Sequence, residues 1–267
     1  MTAKRQEAIT VALVNNKGGV GKTTSAVCLA AGLAMEGHRV LLADLDAQGS
    51  ASLSLGIARA DLSPGVAEVI LEGRLIREAI RPSSVKGLDI LPGSMKLASA
   101  DLALSDVNGR EAVLKTALKP ILADYDIMVL DCPPSLGLLT VNALTAADFF
   151  LVPLTLDYLA LEGLVNLLEA VERIRAGIGK TAAPLGFLLT LADYRLNVTE
   201  EIAGMIRKHY GRLVFKTVIP GNVKLKEAPS FGKTIFDYDA GSAGAEAYRE
   251  LTKEVLHRLG RHDIKTA

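Results

Sequence analysis

Cysteine is scarce in this sequence: Cys28 and Cys132 are the only two in 267 residues. Two thiols cannot build a disulfide scaffold and match no zinc-ligand spacing, so a reducing cytoplasm is the natural compartment. Net charge is missing as well. Lys+Arg and Asp+Glu stand at 30 each, so no overall field draws in nucleic acid or membrane, and any basic surface must arise by local segregation. Long apolar runs are absent. The greasy stretch Phe149–Leu154 is far short of the roughly 18 residues that span a bilayer, and the opening Met1–Glu7 holds no apolar core of a signal peptide. Repeats and Pro/Gly-rich linkers are lacking too, so residues 1–267 read as one domain. The histidines His38, His209, His257 and His262 are scattered without ligand spacing, and the six Tyr and six Phe form no aromatic-basic cluster for stacking single-stranded bases.

What is present is ordinary for a folded chain: 49% apolar and 22% charged residues, enough to exclude wholesale disorder. Continuous apolar runs at Ile9–Val14, Val40–Ala43, Leu88–Leu91, Ile127–Leu130, Phe149–Val152, Leu185–Leu191 and Val214–Ile219 read as strands covered on both faces. Amphipathic stretches lie between them at Thr23–Glu36, Glu111–Leu122, Leu136–Ala147, Leu159–Ala176, Val198–Tyr210 and Ala243–Leu259. This alternation predicts an α/β fold: a doubly wound, mostly parallel sheet with helices on both faces. Ile57–Asp106 is less regular and reads as an insertion-like segment.

The most informative string is Lys17-Gly18-Gly19-Val20-Gly21-Lys22-Thr23-Thr24, between the first strand and the first helix. Glycines let backbone N–H groups converge on phosphate oxygens, and the helix N-terminus adds free donors. Lys22 is expected to reach the terminal phosphates and the Thr23 hydroxyl to ligate Mg²⁺. The standard pattern needs glycine at position 16, where Asn16 stands; a lysine at the loop's start, Lys17, marks the deviant form of the motif. Lys17 should project away from its own nucleotide, and a role across a dimer interface, like that of an arginine finger, accounts for it.

Carboxylates follow two other strands. Asp44 ends the second and Asp46 lies just beyond; Asp131 ends Ile127–Leu130 as a Walker B acid would. Ligands bind at the C-terminal ends of strands in such sheets, so these acids should converge on the phosphate loop. Asp46 is the candidate for orienting a hydrolytic water, with Asp44 and Asp131 near the metal. Between Gly204 and Lys233, the bases Arg207, Lys208, Arg212, Lys216, Lys224, Lys226 and Lys233 face a single acid, Glu227. In a neutral chain such segregation suits salt-sensitive, sequence-independent binding of duplex DNA.

These strings, together with Asp44-Leu45-Asp46-Ala47-Gln48-Gly49, the run Asp131–Thr140, Ala160–Leu164 and Ile219–Lys233, closely resemble the ParA/Soj family of partition ATPases in the MinD/ParA superfamily. The resemblance covers essentially the whole chain. It implies a slow, Mg²⁺-dependent ATP hydrolase whose ATP-bound sandwich homodimer binds nonspecific DNA. It also implies a ParB-like partner that stimulates hydrolysis, and chromosome or plasmid cargo moved on the nucleoid. Carried over residue by residue, Gly18–Thr24 bind nucleotide, Lys17 is the signature lysine, Asp46 positions water, and Pro220 and Asn222 lie on the adenine side. Arg195 matches a DNA-contacting arginine. Asn16, Ala47 and Ser50 are mild departures. Gly221 stands where the family has a DNA-binding arginine, and no helix-turn-helix extension precedes the domain.

Three alternatives use the same loop. Positioning of a protein cargo (a chemoreceptor cluster or carboxysome) is favoured slightly by Gly221. A MinD-like membrane switch would want a basic amphipathic C-terminal helix, against which Tyr248–Leu259 also reads as a packing helix. An iron–sulfur carrier would need paired cysteines, and no CxxC occurs.

Overall fold

The computed structural model describes residues 7–266; Met1–Gln6, Ala267 and the side chains of Asn197 and residues 261–266, His262 among them, lie outside the described residues. Eight strands make one sheet: β1 (Ile9–Leu13), β2 (Val40–Asp44), β3 (Arg81–Pro82), β4 (Leu88–Leu91), β5 (Ile127–Asp131), β6 (Phe149–Thr155), β7 (Ala183–Ala192) and β8 (Val214–Pro220). Their order is β3-β4-β2-β5-β1-β6-β7-β8, and every pairing is parallel except β3 with β4. All seven apolar runs are strands of this sheet. The eighth, β3, is a two-residue edge containing Pro82, whose missing N–H confines it to such a place and which leaves no pattern to read.

The helices are α1 (Lys22–Met35), α2 (Ser50–Ser54), α3 (Val66–Glu72), α4 (Ile76–Ala79), α5 (Ala100–Ala103), α6 (Val113–Leu118), α7 (Leu138–Ala146), α8 (Ala160–Ile178), α9 (Asn197–Tyr210), α10 (Val223–Glu227), α11 (Ile235–Tyr238) and α12 (Ala243–Thr266). The expected helix at Glu111–Leu122 is instead three short pieces, with 3₁₀ turns at Arg110–Ala112 and Lys119–Ile121 around α6. Pro120 lacks the N–H that would continue the α-helical ladder. Among the described residues no helix is long and apolar enough to cross a membrane.

Alternate side chains of each strand feed two cores. Ala12, Leu41, Ala43, Met128 and Leu130 pack on one face; Val11, Leu13, Leu42, Ile127 and Val129 pack on the other with α1 and α12. That is why the strands read as unbroken apolar runs. A Cβ on Gly32 of α1 would stand 2.2 Å from Thr252 Oγ1 of α12, and Tyr248 Oη lies 2.9 Å from Ser25 Oγ. The helix behind the glycine loop is thereby clamped to the last helix.

The irregular segment Ile57–Asp106 is tied in through β4, which pairs with β2, and through Glu68. That side chain is 3% exposed and meets Lys96 Nζ at 2.9 Å, while Ser63 Oγ donates to it at 2.6 Å and Gly65 N at 2.7 Å. Burial alone would raise its pKa, but the donors from Ser63, Lys96 and Gly65 outweigh burial and hold the carboxyl at about 2. A depressed carboxylate stabilises the fold above its unfolded value of about 4.3, and that contribution fades as pH falls toward 2. Glu68→Gln is therefore expected to cost about 1–3 kcal/mol at pH 7, seen as a lower Tm, with the gap to wild type closing between pH 4 and 2. A gap independent of pH in that window would show that the charge contributes nothing.

Candidate functional site

The sheet's strand order reverses at β1, where the chain first passes to β2 on one side and later to β6 on the other. A crevice opens there at the C-terminal edge. The connection from β1 to α1 crosses it. Gly19 and Gly21 have φ of 75° and 80°, left-handed values that a Cβ would strain. Gly21 caps α1 with no side-chain hydrogen bond, and no acid sits in the first turn. The first-turn amides therefore keep their donors for an anion.

The loop is held from behind by residues the sequence reading did not single out. Asn15, buried, donates from Nδ2 to Pro153 O at 2.7 Å and accepts from Lys17 N at 2.9 Å. The Thr190 hydroxyl, on β7, lies 2.8 Å from Val20 O and 3.0 Å from Leu154 O. Lys22 is buried (7% exposed), whereas Asn16–Gly19 are exposed.

The two lysines of the loop go different ways. Lys22 lies close enough to Asp131 to favour its charged form. Lys17 turns outward, its Nζ 2.5 Å from Asp157 Oδ2, with both side chains half-exposed. Asp157 also accepts from Thr155 Oγ1 at 2.6 Å. Burial would raise its pKa, but the Lys17 and Thr155 donors hold it below the usual carboxylate range. Its only sequence signal was its place just past an apolar strand, the offset shared by Asp46.

Asp44 and Asp131 are register partners on β2 and β5, and Asp131 pairs in turn with Leu13 of β1. Both are 0% exposed. Asp44 Oδ2 accepts from Ser52 Oγ (2.8 Å) and Ser52 N (3.0 Å), and Oδ1 from Asp46 N (3.2 Å). Asp131 has neither oxygen in a hydrogen bond. Burial, then the neighbouring Asp44 charge, pushes the Asp131 carboxyl up, countered in part by Thr23 and Lys22. Burial pushes Asp44 up as well, against the Ser52 and Asp46 donors. A buried carboxylate with both oxygens unpartnered, beside a hydroxyl, is what a hard divalent cation or its waters would satisfy, so Thr23 and Asp131 fit Mg²⁺. Asp44 is more encumbered, because three donors already occupy it. Asp46 is partly exposed, with Oδ1 accepting from Gln48 N at 3.0 Å. Among the described residues no cluster of three or more His, Cys, Asp or Glu could hold a metal.

Pro220 ends β8, Gly221 N donates to Ala192 O at 3.0 Å, and Asn222 caps α10 by accepting from Lys224 N at 2.7 Å. This corner shares the loop's edge of the sheet. The basic residues do not form one surface. Arg195, Lys224 and Lys226 follow the C-terminal ends of β7 and β8, but Arg207 and Lys208 end α9, which has run back to the opposite edge before β8 begins. Arg195 is 88% exposed yet bound to Asp193, and Lys224 to Glu227 at 3.0 Å. Cys132 is buried, and burial followed by the Asp131 charge pushes its thiol up, the reverse of what a nucleophile needs.

A parallel sheet with a glycine loop ahead of its central helix, and acids at the ends of the flanking strands, defines a P-loop nucleotide-binding protein. Comparison with known proteins narrows the class. A family model described as AAA domain matches residues 8–182. The chain is 45% identical to the chromosome-partitioning ATPase Soj of Thermus thermophilus, over 93% of this chain and 96% of that protein. It is 42% identical to the chromosome partitioning protein ParA of Myxococcus xanthus, over 93% and 88%. Among solved structures, cobyrinic acid a,c-diamide synthase from Mycobacterium smegmatis with bound ATP analog and magnesium superposes with a TM-score of 0.82 at 34% identity, covering 95% of this chain and 96% of that one. The chain belongs to the ParA/Soj family of partition ATPases.

Because the Thr190 hydroxyl is the brace between β7 and the loop carbonyl of Val20, Thr190→Val should leave both carbonyls without it. The expected result is a several-fold loss of ATP affinity, read with a fluorescent nucleotide, and a cost of about 1–3 kcal/mol in stability. Unchanged affinity would remove Thr190 from the loop's support.

Proposed function

We propose that the chain is a single-domain, Mg²⁺-dependent ATP hydrolase acting as a partition switch. The observation that carries this reading is the outward turn of Lys17 onto Asp157, away from the cradle that Lys22 enters. The backbone of Gly18–Thr24 would take the phosphates, with Pro220 and Asn222 near the adenine. Thr23 and Asp131, with Asp44 behind them, would hold Mg²⁺, which when bound neutralises charge on the terminal phosphates. Lys22 steadies those phosphates, and Asp46 orients the attacking water.

Lys17 completes the site of a second copy. An exposed ion pair contributes little, roughly 0–1 kcal/mol, so exchanging Asp157 for phosphate charge across an interface is cheap. ATP thus joins two copies, and hydrolysis releases them. The dimer is a cytoplasmic, nucleoid-associated state that holds duplex DNA without sequence preference. A ParB-like protein stimulates turnover, and the cycle segregates a chromosome or plasmid. Positioning of a protein cargo is the second reading. Gly221 favours it: its φ is not left-handed and a Cβ there meets only carbonyls at 3.8 Å, so the backbone does not demand glycine where the family carries arginine.

The chain bearing Asp46→Ala should bind Mg-ATP without turnover and double its mass in light scattering, and adding Lys17→Ala should return it to one copy. A solitary Asp46→Ala chain, or a dimer indifferent to Lys17→Ala, overturns the switch.

Duplex binding should weaken steeply with salt. Lys224→Ala with Lys226→Ala should lower the slope of log K against log[salt] by about 2, while Gly221→Arg tightens binding. Insensitivity to both salt and these changes would remove DNA from this edge.

A further inference from the structure

Among the described residues, the Asp46 carboxylate accepts locally only from Gln48 N, at 3.0 Å, and its carbonyl from Gly49 N. A further hold on its backbone comes through Asp44 from Ser52, on α2. It is 0% exposed, and both its hydroxyl and its amide donate to Asp44 Oδ2, at 2.8 and 3.0 Å. Asp44 Oδ1 then accepts from Asp46 N at 3.2 Å. Ser52 Oγ in turn accepts from Gly93 N at 3.2 Å, at the loop after β4. That loop presses on the same backbone from the other side. A Cβ on Gly93 would stand 2.6 Å from both Asp44 O and Asp46 O. The chain from Ser52 through Asp44 to Asp46 N is continuous, buried at its first two members, and closed behind by Gly93.

We propose that Ser52 is a positioning residue for hydrolysis: it acts through Asp44 to set the backbone of Asp46, and so the direction in which the Asp46 carboxylate holds water. Its side chain is buried and reaches Asp46 only through Asp44. The proposal rests on the reading of Asp46 given above. A hydroxyl at this place is needed because Asp44 is sealed from solvent, so no water can replace the lost donor. With the hydroxyl gone Asp44 Oδ2 keeps only the Ser52 amide, so the carboxylate is held less firmly, and a displacement of an ångström at a water-orienting group is enough for a large loss of rate.

The test uses the full-length chain with Ser52→Ala, Ser52→Thr and Gly93→Ala, read by steady-state ATPase rate, by fluorescent ATP-analogue affinity with Mg²⁺, and by Tm. The expected result is a kcat lowered about tenfold in Ser52→Ala, nucleotide affinity within about twofold of wild type, and recovery of kcat in Ser52→Thr, which keeps the hydroxyl. Gly93→Ala presses on the same backbone while leaving the Ser52 hydroxyl in place and should lower kcat in the same selective way. Wild-type kcat in Ser52→Ala overturns the proposal, and so does a parallel fall of kcat, affinity and Tm, which marks a merely structural contact. If Ser52→Ala does not fold, wild-type kcat in a folded Gly93→Ala chain overturns it equally. Retained turnover in Asp46→Ala would sink the underlying reading instead, so the two failures are distinguishable.

Discussion

Everything at this site depends on two carboxylates buried side by side, Asp44 and Asp131, on adjacent strands in register. Neither reaches solvent, and like charges that close oppose each other's ionisation. Such a pair is costly unless something compensates. Asp44 is compensated by the protein, through Ser52 and the Asp46 amide. Asp131 is not. The asymmetry separates two jobs: one carboxylate is built into the scaffold, and the other is left open toward Thr23 and Lys22. Lys22, also buried, lowers the cost of that open carboxylate by its charge.

The two lysines of the glycine loop divide in the same manner. Lys22 is committed inward and Lys17 outward, five residues apart on the helix start and the exposed turn. The Lys17 partner, Asp157, comes from the loop after β6, a neighbour of β1. An exposed pair of this kind adds little stability. Its effect is on direction: it holds the Lys17 ammonium outside the loop's own cradle, on the exposed side. The basic residues near the other end of the sheet obey topology too. A helix that returns the chain to the start of the next strand carries Arg207 and Lys208 away from Lys224 and Lys226, so proximity in sequence becomes separation in space.

Much of the architecture was legible because a doubly covered strand leaves a continuous apolar run and a covering helix leaves a period of 3.6. The seven strands with such runs were found, and the two-residue edge without one was not. The phosphate loop was legible because its glycines and lysines are rare together. What stayed hidden were the side chains that act on backbone atoms of distant segments: Asn15 on Pro153, Thr190 on Val20, Ser52 on Asp44. Ser and Thr are common, and no spacing distinguishes a hydroxyl that braces a loop from one that faces water. The Asp157 role was hidden for a related reason, since an ion pair 140 residues apart in sequence exists only once β1 and β6 are neighbours. The role of Asp44 was half-legible: its place at a strand end was clear, but its saturation by donors depends on where α2 folds back.

The interlocking of the loops after β2, β4 and β5 decides how this site can move. Gly49 has a φ of 63°, and a Cβ on it would stand 2.8 Å from Gly93 O; one on Gly93 would meet the carbonyls of both aspartates at 2.6 Å. These backbones touch with no side chain between them, so one cannot shift without displacing the others. From Gly93 the chain runs on to Asp101, which accepts from Leu138 N at 3.2 Å at the start of α7. That helix begins just past Asp131. One stretch of the irregular segment therefore braces the loop that carries Asp46 at one end and the loop that follows Asp131 at the other. A segment that looked like an insertion by composition is thus a second link between the loops after β2 and β5, beside the direct pairing of Asp44 with Asp131 and the bond from Leu45 N to Asp131 O.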